Sequence, residues 1–225
     1  NSVSKIDKGF EIVTERGEKY QAKAVIIAAG KRPRALNVPR EKELIGRGVT
    51  YCAICDGPLF AGEKVAVIGG GNSALEATDD MIKIAEHVYL VSLTPLTGDP
   101  ILIDKVRNAS NLTIFLEYEV LEIKGETRVT GIKIRDLKTK EVKELVVGGV
   151  FVEIGLMPNS DLAKGLAALN QRGEIKVNYA NETSVPGLFA AGDATNVPEK
   201  QIVVAAGEGA KAALQAHRYL QRLSN

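Results

Sequence analysis

The sequence has no tryptophan and only two each of methionine, histidine and cysteine. It also carries almost no net charge, with 29 Lys and Arg against 28 Asp and Glu. Each scarcity removes a class of protein. Two cysteines cannot build the multi-bridge framework of a small secreted domain, and with no secretory signal pattern they point to a reducing, cytoplasmic setting. A closed zinc site needs four ligands, and His87 and His217 stand far from the cysteines at unhelpful spacings, so no metal is expected. A net charge of +1 gives no pull toward nucleic acid or an anionic membrane surface. No apolar run approaches the ~18 residues of a membrane span, and no repeat recurs at solenoid periods.

What the sequence does have is ordinary bulk and an unusual pairing. The 225 residues are 45% hydrophobic and 25% charged, which suits one large or two small globular domains. Both cysteines fall in Tyr51-Cys52-Ala53-Ile54-Cys55-Asp56-Gly57. A CxxC pair closes into a disulfide and reopens, storing two electrons. At a helix start the free N–H groups favour the thiolate, the form that attacks disulfides. Asp56 is placed to move the proton that thiol exchange shifts. A structural staple and two inert core cysteines remain the bland alternatives.

The flanking patterns are those of an α/β chain. Phe10–Thr14 and Lys19–Ala22 read as a β-hairpin, and the apolar run Ala24–Ala29, closed by Gly30, as a strand buried on both faces. Val65–Ile68 reads as a buried strand, Gly69-Gly70-Gly71-Asn72-Ser73-Ala74 as a glycine turn, Ala74–Ala85 as a helix and His87–Val91 as the next strand. A short helix is expected over Asp104–Asn108, with strands near 112–116, 119–124, 130–136 and 143–147. Gly148–Gly155 returns to an apolar strand, Ile175–Val177 and Leu188–Ala191 add two more, and a small-faced helix is expected over Ile202–Leu223.

Gly69-x-Gly71-x-x-Ala74 matches the dinucleotide fingerprint in context, after an apolar strand and at a helix start. Gly69 permits the tight turn, Gly71 lets a phosphate approach the backbone, and Ala74 permits close helix–strand packing. Asn72 and Ser73 then open the helix whose free N–H groups face a pyrophosphate. The alternative is a turn that binds nothing. The position that separates NAD from NADP reads Ser92-Leu93-Thr94, with neither a carboxylate for the ribose diol nor an arginine for a 2′-phosphate. Lys105 and Arg107 are candidates to reach over from the next segment. Gly192-Asp193 follows a buried strand, where the carboxylate serves either a second cofactor or a turn.

Taken together, Ala28-Ala29-Gly30-Lys31-Arg32-Pro33, Cys52-x-x-Cys55-Asp56-Gly57, the Gly69–Ala74 turn, Gly155-Leu156-Met157-Pro158-Asn159 and Val185–Asp193 resemble the low-molecular-weight thioredoxin reductase family, including the flavoprotein part of alkyl hydroperoxide reductase. Gly57–Phe60 and Val197–Ile202 are more similar to the hydroperoxide reductase branch. The resemblance implies a three-layer, Rossmann-like, two-domain fold. In it an NAD(P)H domain carrying the CxxC, residues 48–153, is inserted between FAD-domain pieces at 1–47 and 154–225. It further implies that the FAD domain is incomplete here, the family's N-terminal βαβ unit being absent.

By the same resemblance Cys55 sits against the flavin, Cys52 attacks the partner and Asp56 is the acid/base. Asp193 holds the flavin's ribityl or pyrophosphate region, Gln201 and Ile202 touch its ring, and Gly48 and Gly155 lie near hinge strands. The cofactors implied are FAD and NAD(P)H, the partner a thioredoxin- or glutaredoxin-like disulfide protein, and the assembly a homodimer. Two rivals stand beside this reading. One is a fragment that binds nucleotide without turnover. The other is a ferredoxin–NADP reductase-like flavoenzyme, whose chemistry needs no dithiol.

Overall fold

The computed structural model describes residues 1–223. They form two compact units, residues 1–32 with 156–223 and residues 33–155, and the chain passes between them at 32/33 and 155/156. The sequence expectation set these joints at 47/48 and 153/154. The difference in the first joint lies in residues 33–47: Leu44 is fully buried in the core of the second unit beside Val49 and Val150. Gly155 thus stands at a crossing. Gly48 lies inside the second unit, where a β-carbon would come within 2.6 Å of Val129.

The first unit begins with an antiparallel sheet of β1 (Ser2–Ile6), β2 (Gly9–Val13) and β3 (Lys19–Ala22). β4 (Val25–Ile27) follows, then β5 (Lys31–Pro33). The second unit contains β6 (Val49–Thr50), α1 (Ala53–Asp56), β7 (Lys64–Ile68), α2 (Asn72–Met81), β8 (His87–Ser92), α3 (Pro100–Arg107), β9 (Leu112–Leu116), β10 (Tyr118–Lys124), β11 (Gly131–Asp136), β12 (Val142–Leu145) and β13 (Gly149–Val152). The chain then returns to the first unit with β14 (Leu156–Pro158), which pairs with β5, then β15 (Leu188–Ala190) and α4 (Ile202–Leu223).

Each unit is a three-layer stack. In the second, the parallel sheet β6-β13-β7-β8-β9 is the middle layer. Its near-continuous Val and Ile runs are those of strands covered on both faces. Val65, Val67, Leu90 and Phe151 pack with Leu75, Ala77 and Met81 of α2 and Val106 of α3. Ala66, Ile68, Val91 and Val150 pack with Ile123, Ile132 and Ile134 of the antiparallel sheet β10-β11-β12. In the first unit, the parallel pair β15-β4 lies between the hairpin sheet, through Phe10, Ile27, Leu188 and Ala190, and α4, through Phe189, Ala191, Ala212 and Ala216.

Several elements differ from the sequence expectation. α2 ends at Met81 rather than Ala85, because the following amides tighten onto carbonyls three residues back, Lys83 on Asp80 and Ile84 on Met81. α3 starts at Pro100, four residues early, since Asp99 caps it by accepting the Ile101 N–H at 2.8 Å. Residues 175–177 form only two isolated bridges, both at Ile175, to Leu169 and Thr195; the Val177 amide goes instead to the side chain of Asn196. β4 is not buried on both faces, as Ile26 keeps 38% of its surface. Among the described residues no helix is long and apolar enough to cross a membrane.

Candidate functional site

Cys52 and Cys55 are joined as a disulfide. Cys52 is the N-cap of α1, and its Sγ accepts the Cys55 N–H at 3.3 Å. That donor, with the helix-start dipole, stabilises negative charge on Cys52 more than on Cys55, which is the more exposed of the two. Thr50 ties the motif together: its hydroxyl accepts the Cys52 amide hydrogen at 3.2 Å and donates its own to an Asp56 carboxylate oxygen. Upstream, the buried Glu41 accepts from the amides of Leu36 and Asn37 and from the Tyr51 hydroxyl, at 2.8, 2.7 and 2.9 Å. Burial, followed by this bond to a carboxylate, pushes the Tyr51 phenol up to about 12. Tyr51 is therefore a fixed donor just before the reactive pair. Neither Thr50 nor Glu41 was legible as a site residue, because their partners lie six and ten residues away with no motif between them.

The glycine turn borders a cavity of about 760 Å³ at the carboxyl ends of β7 and β13. Its lining includes Gly69, Gly71, Asn72, Ser73, Ser92 and Gly155. The three glycines differ in what holds them. Gly69 has φ +142°, and a β-carbon there would collide with the Glu153 carbonyl oxygen while meeting Ala74 at 3.0 Å. Gly70 is backed by the Ser92 hydroxyl. Gly71 has nothing within 4 Å of a β-carbon, so the fold does not require glycine there, whereas a ligand approaching the backbone does. Ala74 is fully buried behind the turn, between helix and sheet.

Two of the expected contact residues also have partners within the fold. The Asn72 side chain accepts the Asp99 amide at 2.7 Å, so it braces the loop before α3. Ser92 is only 1% exposed and its hydroxyl accepts the Thr94 amide, so it supports the turn while lining the cavity. Leu93, 59% exposed, lines the cavity beside it. Lys105 is held by Asp79 of α2 at 2.8 Å and, like Arg107, does not line the cavity. Sequence reasoning missed Arg34, which lines the cavity with a guanidinium that makes no hydrogen bond or ion pair among the described residues.

The remaining predicted residues gather in the first unit. Gly30 follows β4 and Gly192 follows β15, at the carboxyl ends of two parallel strands, where open α/β sheets take ligands. Gly192, at φ +69°, leaves 3.3 Å between a β-carbon and Ala205 of α4. The Asp193 carboxylate makes no hydrogen bond or ion pair among the described residues, so it is not the turn cap that the sequence left open. Gln201 and Ile202 stand exposed at the start of α4. Beside them Lys31 and Lys200 meet the buried Glu174 at 2.7 and 3.4 Å. Burial alone would raise that carboxyl; the bonds from Lys31 and Asn170 and the charge of Lys200 outweigh it and hold Glu174 at about 2.

The family profile described as Pyridine nucleotide-disulphide oxidoreductase matches residues 1–209. The chain belongs to that family. Within the pyridine nucleotide-disulphide oxidoreductases it is similar to the alkyl hydroperoxide reductase F subunit of Staphylococcus aureus (strain MRSA252), 45% identical over 221 residues, 98% of this chain and 44% of that protein. The protein of the same name in Escherichia coli (strain K12) is 45% identical over 214 residues, 94% and 41% respectively. The chain thus spans less than half the length of these curated relatives. Among solved structures it resembles the thioredoxin reductase of Streptococcus pyogenes, with a TM-score of 0.90 at 34% identity over 98% of this chain and 72% of that one. The thioredoxin reductase from Giardia duodenalis gives 0.87 at 35% over 98% and 73%. The two-domain FAD/NAD(P)-binding architecture expected from sequence is the one these structures share.

Proposed function

We propose that this chain is the electron-transferring part of a flavin-dependent disulfide reductase. It takes electrons from NAD(P)H and delivers them through the Cys52–Cys55 disulfide to a thioredoxin- or glutaredoxin-like protein in a reducing, cytoplasmic setting. The observation that carries the reading is a closed CxxC capping a helix in the same unit as an open glycine-turn cavity. The Gly69–Ser73 turn and the first amides of α2 would hold the pyrophosphate of NAD(P)H. Gly30, Gly192, Asp193, Gln201 and Ile202 would hold FAD, which when bound relays two electrons from nicotinamide to disulfide.

The chain's own residues then do the exchange. Two electrons and two protons open the Cys52–Cys55 bond, leaving Cys52 as the thiolate, Cys55 as the thiol and Asp56 protonated. The Cys52 thiolate attacks one sulfur of the partner's disulfide, the partner's other sulfur leaves as a thiolate, and Asp56 supplies its proton. Cys55 next attacks the Cys52 sulfur of the mixed disulfide, which frees the second partner thiol and restores the Cys52–Cys55 bond. The test is kinetic, on the FAD-loaded protein. Cys52→Ser and Cys55→Ser are each expected to abolish reduction of a protein disulfide while NAD(P)H still bleaches the flavin absorbance. A Cys55→Ser protein that reduces the disulfide at the parental rate would overturn the redox assignment. A purified protein that shows no flavin absorbance after incubation with FAD would favour nucleotide binding without turnover.

A further inference from the structure

One carboxylate touches both the disulfide helix and the nucleotide cavity. Glu153 follows β13, its amide bonds the Ile68 carbonyl at 2.8 Å, and its carbonyl packs against Gly69. Glu153 lines the cavity with the Gly69–Ser73 turn, and its carboxylate accepts the Ala53 N–H at 3.4 Å, the first amide after Cys52. The mechanism above does not use it. The charged groups around it are few. Glu76 of α2 adds a like charge. Asp56 of α1 is engaged by Thr50. Across the cavity lining stand Arg34, whose guanidinium has no partner among the described residues, and Glu119, paired with Arg135 at 2.7 Å.

We propose that Glu153, held beside the disulfide helix by the Ala53 N–H, takes up a proton when the anionic dinucleotide enters the cavity. The proposal rests on the cavity being the NAD(P)H site. A carboxylate in a cavity that receives a pyrophosphate faces two further negative charges, and protonation removes the repulsion. The neutral acid still accepts from Ala53 through its carbonyl oxygen and gains a hydroxyl to donate into the cavity. Burial, opposed by the Ala53 bond and aided by Glu76, already lifts this carboxyl to about 7, so the uptake falls in the neutral range. By linkage, a ligand that raises the protonation of a group binds more tightly as pH falls.

The test is calorimetric titration of the FAD-loaded oxidised protein with NAD+, chosen because it carries the pyrophosphate, lacks the titrating 2′-phosphate and has no hydride to give the oxidised flavin. It is run from pH 6 to 8.5 in two buffers of different ionisation enthalpy. The parent is expected to take up a fraction of a proton at pH 7 and to lose about tenfold in affinity across the range, which is ~1.4 kcal/mol. Glu153→Gln, which keeps an acceptor for Ala53, is expected to show no uptake and a flat profile. The same pH slope in Glu153→Gln as in the parent would overturn the proposal. So would absence of uptake in the parent at pH 7, a measurement that needs no variant to fold. A parent that binds no NAD+ at any pH would instead overturn the nucleotide site itself, and this inference with it.

Discussion

The Thr50 hydroxyl donates its hydrogen to the carboxylate of Asp56, six residues on and across the reactive disulfide turn. Because the same oxygen accepts the Cys52 amide hydrogen, one side chain fixes both the attacking cysteine and the proposed proton donor. Thr50→Val should therefore lower the rate of thiol–disulfide exchange by about tenfold, or ~1.4 kcal/mol, by freeing Asp56. Reduction of the flavin by NAD(P)H should be unchanged, and Thr50→Ser should restore exchange. Single-turnover reduction of a protein disulfide, measured beside flavin bleaching, separates the two steps. Equal losses in both would show that Thr50 is only a folding residue.

The glycine turn separates structural from ligand-imposed requirements. Gly71→Val should leave the thermal midpoint nearly unchanged, because nothing lies within 4 Å of the new β-carbon, and should raise the KM for the nicotinamide cofactor strongly. Gly69→Ala should do the reverse and destabilise by about 1–3 kcal/mol, since φ +142° and the Glu153 carbonyl both oppose a side chain. Thermal melts and cofactor titrations on both variants check the contrast.

Selectivity between NADH and NADPH should be modest, below about 100-fold or ~2.7 kcal/mol in kcat/KM. No carboxylate follows β8 to repel a 2′-phosphate, and Lys105 is already bound to Asp79. Ser92, buried behind Gly70, is a poor place to alter the choice. Leu93 is the better one: Leu93→Arg should move preference toward NADPH and Leu93→Glu toward NADH, each by about tenfold. Steady-state kinetics with both cofactors decide this.

Stability should respond to pH through two carboxyls of opposite sign. Glu174 is held at about 2, below its ordinary 4.5, so its contribution is present above pH 4.5 and is lost as pH falls toward 2. Glu153 is held at about 7, so it binds its proton more tightly in the folded chain. Stability then declines as pH rises from 4.5 through 7. Glu174→Gln should cost about 2 kcal/mol at pH 7, a gap that narrows below pH 4.5. Glu153→Gln should flatten the decline toward neutral pH. Urea unfolding between pH 3 and 8 measures both.

The fold was legible where physics is local. The apolar runs of β7, β8 and β13, the glycine turn between β7 and α2, and the CxxC pair all carry their meaning in adjacent residues. The long helix over Ile202–Leu223 also appears with the bounds its periodicity gave. What was hidden depends on partners distant in sequence. Glu41 matters because it reaches Tyr51, Arg34 because the chain folds it beside a turn 35 residues on, and Glu153 because β13 lies next to β7. A lone Glu, Arg or Thr carries no such information by itself. Nor could spacing reveal that Ser92, at the expected ribose position, turns its hydroxyl toward Gly70.

The bracing around the cavity also bears on how quickly a ligand is captured. The Thr97 amide bonds the Gly70 carbonyl at 2.8 Å, Asn72 holds Asp99, and Lys105 links α3 to α2 through Asp79. Two of these links fasten the rim and the third ties the helices behind it, leaving little loop entropy to lose when a ligand associates. The socket behaves as a lock already cut. Encounter should be set by diffusion and orientation, and differences in affinity among dinucleotides should show up in how long each one stays.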